Sequence, residues 1–263
     1  MKLLLKIMFD GSAYAGYQAQ TELSSVQTTL TSAVSSCFGF PCTVTGCSRT
    51  DAGVHALGFV CAVEPRGKHG DGWLTVPIGK VHRALAKYLP DDIAVCGEAA
   101  ADDGFHPRYS VKEKTYIYKM YDTPNTDPFK RNRAWHLKSR LTDEDIGKMN
   151  AAGKILIGRH DFASFMASGS KITDACRTVT ALSVGRAADG DIVLSVTADG
   201  FLYNMVRIIT GTLVDVAAGT IDAESMADIL ASRDRRAAGR TAPAYGLYLE
   251  NVEYDRDIGW TVL

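Results

Sequence analysis

Apolar positions along the chain alternate between two periods, and their order predicts the architecture. Leu3–Phe9 is a short apolar run of the kind found in a buried strand. Ser24-Ser25-Val26-Gln27 has capping-box spacing, and Val26, Leu30, Val34 and Cys37 then fall on one helical face. Two strand-like runs follow, Cys42–Gly46 and Ala56–Val63. Pro77 stands where a first-turn proline would open a helix reaching Tyr88, and Pro90 stops it. Asp92–Ala99 reads as the strand that closes this half.

The second half gives the same series. Thr115–Tyr121 alternates Tyr116, Tyr118 and Met120 against Thr115, Ile117 and Lys119, which is a strand with two distinct faces. A helix opens at Thr142-Asp143-Glu144-Asp145 and carries Ile146, Met149 and Leu156. Strands at Arg177–Val184 and Ile192–Ala198 are joined by the turn residues Ala188-Asp189-Gly190-Asp191. A helix over Tyr203–Val216, a short one near Glu224–Leu230 and a strand over Gly246–Tyr254 complete it. Each half reads β-α-β-β-α-β, the ferredoxin-like order. The expectation is an α+β chain of two such halves, 1–105 and 106–263, with their sheets side by side and a cleft between them.

Length and composition narrow the class. With 263 residues, 46% of them hydrophobic, the chain can bury a substantial core. Its formal charge of −1 supplies no global field toward nucleic acid or membrane. The cysteines at 37, 42, 47, 61, 96 and 176 form no C-x-x-C pair and no short His/Cys cluster, which argues against structural zinc and for reduced thiols in a cytoplasmic protein. The apolar start is too short for a signal peptide, Lys6 interrupts it, and no later run approaches about 18 apolar residues.

Charge is distributed unevenly. Between Arg108 and Arg140 stand nine Lys or Arg against three acids, interleaved with Tyr109, Tyr116, Tyr118, Tyr121, Phe129 and Trp135. Basic groups neutralise phosphates and aromatic faces stack on unpaired bases, whereas the plain alternative is a solvated face over half-buried strand tyrosines. A second basic cluster comprises Arg233, Arg235, Arg236 and Arg240. Arg207 lies in an otherwise apolar helix face, with Gly211 one turn on. Such a guanidinium either snorkels to solvent or meets a partner, and an acid of the other half, Asp51 above all, is the natural candidate.

The loop Ser48-Arg49-Thr50-Asp51-Ala52-Gly53-Val54-His55-Ala56 sets an acid and a base one residue apart at a strand end, beside small residues that admit close approach of another molecule. A cysteine–histidine nucleophile drawn from Cys47, Cys61 and His55 lacks any signature. Asp91-Asp92 and Asp102-Asp103 read as caps and solvated loops, and His160–Phe165 as a structural aromatic turn at a helix end.

These segments resemble the tRNA pseudouridine synthase A family. Ser48–Ala56 resembles its active-site signature, Phe9–Gln20 its N-terminal loop, and Ser25-Val26-Gln27 the helix opening after it. Leu89–Val95, Phe105-His106-Pro107-Arg108-Tyr109-Ser110, His160–Phe165, Met205-Val206-Arg207 and Gly246–Leu249 resemble later blocks in the same order, so the likeness spans nearly the whole chain. Tyr17 departs from a common tryptophan, Ser48 from a glycine and Ala86 from an expected asparagine, and Glu64–Leu74 is idiosyncratic. The resemblance implies the pseudouridine synthase fold, in which both halves form one extended, mostly antiparallel sheet with flanking helices and a central cleft. It implies a homodimer that isomerises uridine to pseudouridine in the anticodon stem-loop of tRNA, with neither metal nor organic cofactor.

By that resemblance Asp51 is the nucleophile, attacking C1′ of the sugar or C6 of the base. Arg49 occupies the space left by the extruded base and touches phosphate, and Tyr116 packs on the target uracil. Arg207 is the candidate cation, since burial would otherwise raise the pKa of the carboxylate. Periodicity alone does not choose between Tyr116 and Tyr118, which share a sheet face. A non-catalytic RNA binder would have no use for a carboxylate facing phosphates, and a glycoside or nucleoside hydrolase would need a second carboxylate.

Overall fold

The computed structural model describes residues 1–67, 72–169 and 172–262. Within Glu64–Leu74, positions 68–71 lie outside the described residues. The chain divides into two compact units, Met1–Lys112 together with Leu249–Leu263, and Glu113–Tyr248.

The first unit begins with β1 (Lys2–Phe9), α1 (Val26–Phe38), β2 (Cys42–Gly46), β3 (His55–Pro65), α2 (Val81–Leu85) and β4 (Ile93–Ala101). β1 runs antiparallel between β3 and β4, so that Leu4 faces Ala62 on one side and Ala99 on the other. β2 pairs antiparallel with β3, giving the ferredoxin-like order β4-β1-β3-β2. Leu3, Leu4, Leu5 and Ile7 have no exposed surface, which is why this strand reads as a continuous apolar run. α1 buries Val26, Leu30, Ala33, Val34 and Phe38 and ends at Gly39, whose φ of +79° suits a glycine C-cap.

Two local expectations are corrected. The cap of α1 is Ser25, whose Oγ accepts the Thr28 N–H at 3.2 Å, and Gln27 does not close a capping box. Its amide donates to the Val44 carbonyl at 2.8 Å and accepts the Ala19 N–H at 2.9 Å. The helix expected from Pro77 to Tyr88 is only α2, because Gly79 turns the chain at φ +87°. The amides of Gly79, Val81 and His82 all donate to the fully buried Glu98 carboxylate of β4, which does the work of a cap.

The second unit holds most of β5 (Val111–Tyr121), then β6 (Trp135–His136), α3 (Asp143–Lys154), β7 (Gly158–Asp161), β8 (Cys176–Arg186), β9 (Ile192–Ala198), α4 (Met205–Ala217) and α5 (Met226–Ser232). Its sheet runs β5-β9-β8-β7 with antiparallel pairing, and β6 adds a short parallel pair on β5. Thr142 and Asp145 form a reciprocal capping box on α3. α4 buries all but two of its thirteen residues. His160–Phe165 forms part of β7 and a 3-10 turn in which Phe162 and Phe165 are fully buried, a structural role.

The chain then forms β10 (Leu247–Tyr254) and β11 (Thr261–Val262). From Leu249 onward it belongs to the first unit, where β10 lies beside β3 and β11 beside β4. No described helix is long and apolar enough to cross a membrane.

Candidate active site

Residues 47–54 connect β2 to β3 and form the candidate catalytic loop. The Val54 N–H donates to the Asp51 carbonyl at 3.2 Å, and Gly53 has φ +77°, a β-turn whose third position demands glycine. Arg49 is exposed, Thr50 points inward and is buried, and Asp51 is half-buried.

The segment after β1 clamps this turn from below. The Gly53 N–H donates to the Tyr14 carbonyl at 3.3 Å, and the Tyr17 N–H donates to the Thr50 carbonyl at 3.1 Å. A Cβ on Gly11 would lie 2.0 Å from the Val54 carbonyl oxygen, and one on Gly16 would lie 2.5 Å from that of Thr50. Both glycines therefore permit a backbone approach that any side chain would prevent. His55, 2% exposed, accepts the Gly11 N–H at its Nδ1 at 3.1 Å. The Tyr17 ring stacks on Phe59 with centroids 4.2 Å apart. Among the described residues, Tyr17 Oη and Thr50 Oγ1 are buried side-chain oxygens without a hydrogen-bond partner. Burial pushes the Tyr17 hydroxyl pKa well above its ordinary value.

In the second unit, Asn204 caps α4 from the left-handed region at φ +59°. Its Oδ1 accepts from Arg207 Nη1 at 2.6 Å, and Arg207 Nε donates to the Ala242 carbonyl at 2.8 Å. The Ala242 N–H returns a bond to the Arg207 carbonyl at 3.0 Å. Gly211 lets Arg240 lie against the helix, since a Cβ there would stand 1.8 Å from its carbonyl oxygen. Asp215 takes the Arg240 Nε at 2.7 Å. One helical face, Arg207-Gly211-Asp215, thus grips residues 240–242, and the half-buried guanidinium is oriented rather than snorkelling.

The two strand tyrosines sit in different surroundings. Tyr118 is fully buried and its hydroxyl donates to the Pro243 carbonyl at 2.7 Å, a structural commitment. Tyr116, 6% exposed, meets Phe201 edge-on at a centroid distance of 5.1 Å.

Other sequence candidates have structural employment. Cys61 is fully buried, with its thiol pKa raised by desolvation, and Cys47 Sγ accepts the Val60 N–H at 3.4 Å. All six cysteines are thiols outside any disulfide. In the second arginine cluster Arg240 pairs with Asp215, Arg233 with Asp161 and Arg236 with Asp234, while Arg235 bonds the Ala238 carbonyl and Thr241 Oγ1. In the Arg108–Arg140 stretch Lys130 pairs with Asp191 and Lys119 lies over the Tyr248 ring, while Arg108, Arg131, Lys138 and Arg140 are exposed. Among the described residues no group of three or more His, Cys, Asp or Glu is placed to hold a metal ion.

Comparison with known proteins supplies the family. Residues 152–255 match the family model described as tRNA pseudouridine synthase. The tRNA pseudouridine synthase A of Bacillus subtilis (strain 168) is 44% identical over 259 residues, covering 97% of this chain and 100% of that protein. The chain belongs to the tRNA pseudouridine synthase A family. Similar proteins of the same name from Bacillus velezensis and Ruminiclostridium cellulolyticum are 41% and 38% identical, covering 97% and 96% of the chain and 100% and 99% of their own lengths.

In this member of the family, Arg49 and Asp51 share one loop of the first unit, while Tyr116 and Arg207 stand on β5 and α4 of the second. Two supports of the site leave no pattern in the sequence. Gly11 and Gly16 as the floor of the loop carry no periodic signal, and Ala242 as an acceptor for Arg207 lies in an irregular segment.

Proposed function

We propose that this chain converts uridine to pseudouridine in the anticodon stem-loop of tRNA, with Asp51 as the nucleophile. The observation that carries the reading is the 44% identity to a tRNA pseudouridine synthase A over 97% of this chain and 100% of that protein. The loop supports it, because a half-buried carboxylate on a glycine turn, clamped by backbone on both sides, is preorganised for attack.

The reaction is an isomerisation. The N1–C1′ bond breaks, a C1′–C5 bond forms, the hydrogen on C5 leaves as a proton, and N1 of the rejoined base carries one. No oxidant or reductant enters. Asp51 attacks either at C1′, where it is displaced as the carbon–carbon bond forms, or at C6, where it is eliminated after that bond is made. The uracil must be unstacked first, at a cost of a few kcal/mol, and exposed Arg49 fills that role by entering the vacated space and meeting phosphate. Tyr116 offers its ring to the target base. Arg207, held by Asn204 and Ala242, supplies the cation that favours an ionised nucleophile.

The working form under this reading is a cytoplasmic homodimer bound to tRNA. Incubation of the protein with unmodified tRNA, followed by carbodiimide mapping, tests the function. New modified positions confined to the anticodon stem-loop are expected, and an unmodified tRNA after prolonged incubation would refute it.

A further inference from the structure

A cavity of about 180 Å³ opens in the first unit beside the catalytic loop, lined in part by Tyr17, Gln27, Arg49, His106, Arg108 and Tyr109. It is smaller than the sites that enclose whole ligands, so it suits a single group. Its lining holds two arginines and a histidine and includes no carboxylate, a composition that favours an anion.

The turn on one side is built to stay in place. Phe105 is buried against Leu4, Ala62 and Ala99, and the Tyr254 hydroxyl donates to the Pro107 carbonyl at 2.9 Å. The His106 N–H donates to Ser110 Oγ at 3.1 Å, and the Ser110 N–H returns to the His106 carbonyl at 3.0 Å. His106 Nδ1 accepts the N–H groups of Arg108 and Tyr109 at 3.1 and 3.3 Å, which leaves the proton on Nε2. Burial, then the charges of Lys2 and Arg108, lower the pKa of this imidazole, so it is a neutral donor at pH 7. On this rigid base the Tyr109 ring packs on His106 at 4.3 Å between centroids, yet it is 78% exposed. The Arg108 guanidinium lies 5.9 Å from its centre.

We propose that this turn, together with Arg49, is a single-nucleotide subsite that takes an unpaired nucleotide of the RNA substrate beside the target uridine. The base stacks on Tyr109, and the phosphate meets Arg49, Arg108 and the His106 Nε2–H. The subsite deepens the function proposed above and rests on it for the identity of the RNA.

The probe is an unmodified anticodon stem-loop carrying 2-aminopurine at an unpaired loop position next to the target uridine, titrated with the full-length protein. Stacking on an aromatic face quenches that fluorophore. The native protein and Tyr109→Trp are expected to quench it, whereas Tyr109→Ala loses the quench and binds about tenfold more weakly. His106→Asn, which keeps an acceptor for the two turn amides but lacks the outer donor, is expected to raise KM and leave kcat unchanged. Unaltered quenching and affinity in Tyr109→Ala would overturn the subsite, as would a loss that Tyr109→Trp does not restore. Binding needs no turnover, so a native protein that quenches the probe but forms no pseudouridine would refute the function and leave the subsite standing.

Discussion

Tyr17 and Thr50 give the candidate catalytic loop an unusual floor, two buried hydroxyls with no hydrogen-bond partner among the described residues. A buried hydroxyl without a partner costs roughly 1–3 kcal/mol of desolvation. Tyr17→Phe keeps the ring stacked on Phe59 and removes the orphan oxygen, so urea unfolding should show a gain of about 1 kcal/mol, and a loss would place an unseen bond at that oxygen. Gly16 is the opposite case. With φ at +101° and the Thr50 carbonyl 2.5 Å from a would-be Cβ, Gly16→Ala should cost at least about 1–3 kcal/mol and lower turnover by displacing the loop. Native stability and native turnover in that variant would contradict the clamp. At this scale the Arg49–Asp51 loop was legible because an acid and a base beside glycine at a strand end have no packing purpose. The glycines beneath it were not, because their constraint comes from the distant backbone of Val54 and Thr50 rather than from any local period.

Among the elements, those with long periods matched the sequence pattern. α3 opens at the expected cap, and β1, β2 and β9 lie where alternation or apolar runs put them. β6, β7 and β11 are two to four residues long and too short to carry a period. α2 failed as a twelve-residue expectation because its turn is capped by Glu98, a buried acid from a distant strand. The second unit carries a comparable tie at the end of β5, where Asp122, 7% exposed, accepts both Arg186 nitrogens at 2.9 and 3.0 Å and the Leu141 N–H at 2.9 Å. The Arg186 bond, aided by the Leu141 amide against an opposing desolvation, holds the Asp122 pKa below its ordinary value. The folded state therefore binds its proton less readily than the unfolded chain, and the contribution is complete above the ordinary carboxylate pKa of about 3.9. It fades as pH falls through the lower, folded value. Asp122→Asn should lose roughly 1–3 kcal/mol at neutral pH, with the gap to the native protein closing on acidification. A gap independent of pH between neutrality and the acid limb would contradict this.

For the molecule as a whole, the basic clusters read from sequence differ in what their side chains meet. Net charge is −1; Arg233, Arg236 and Arg240 are exposed but paired with Asp161, Asp234 and Asp215, whereas exposed Arg49 and Arg108 line one cavity. The difference is one of partners, since spacing reveals a cluster of cations but not the carboxylates and carbonyls that neutralise them. A carboxylate mechanism also sets an expectation for metal. With a stem-loop substrate prefolded in monovalent salt, EDTA should leave the initial rate unchanged, and inhibition reversed by a divalent ion would contradict a metal-independent reaction. The central claim concerns a single carboxylate, and Asp51→Asn addresses it with the least change in shape. Pseudouridine should be quantified after digestion of tRNA incubated with an excess of that variant, alongside its affinity for the same tRNA. The account predicts product at background with binding retained, and pseudouridine formed at a rate near that of the native protein would contradict it.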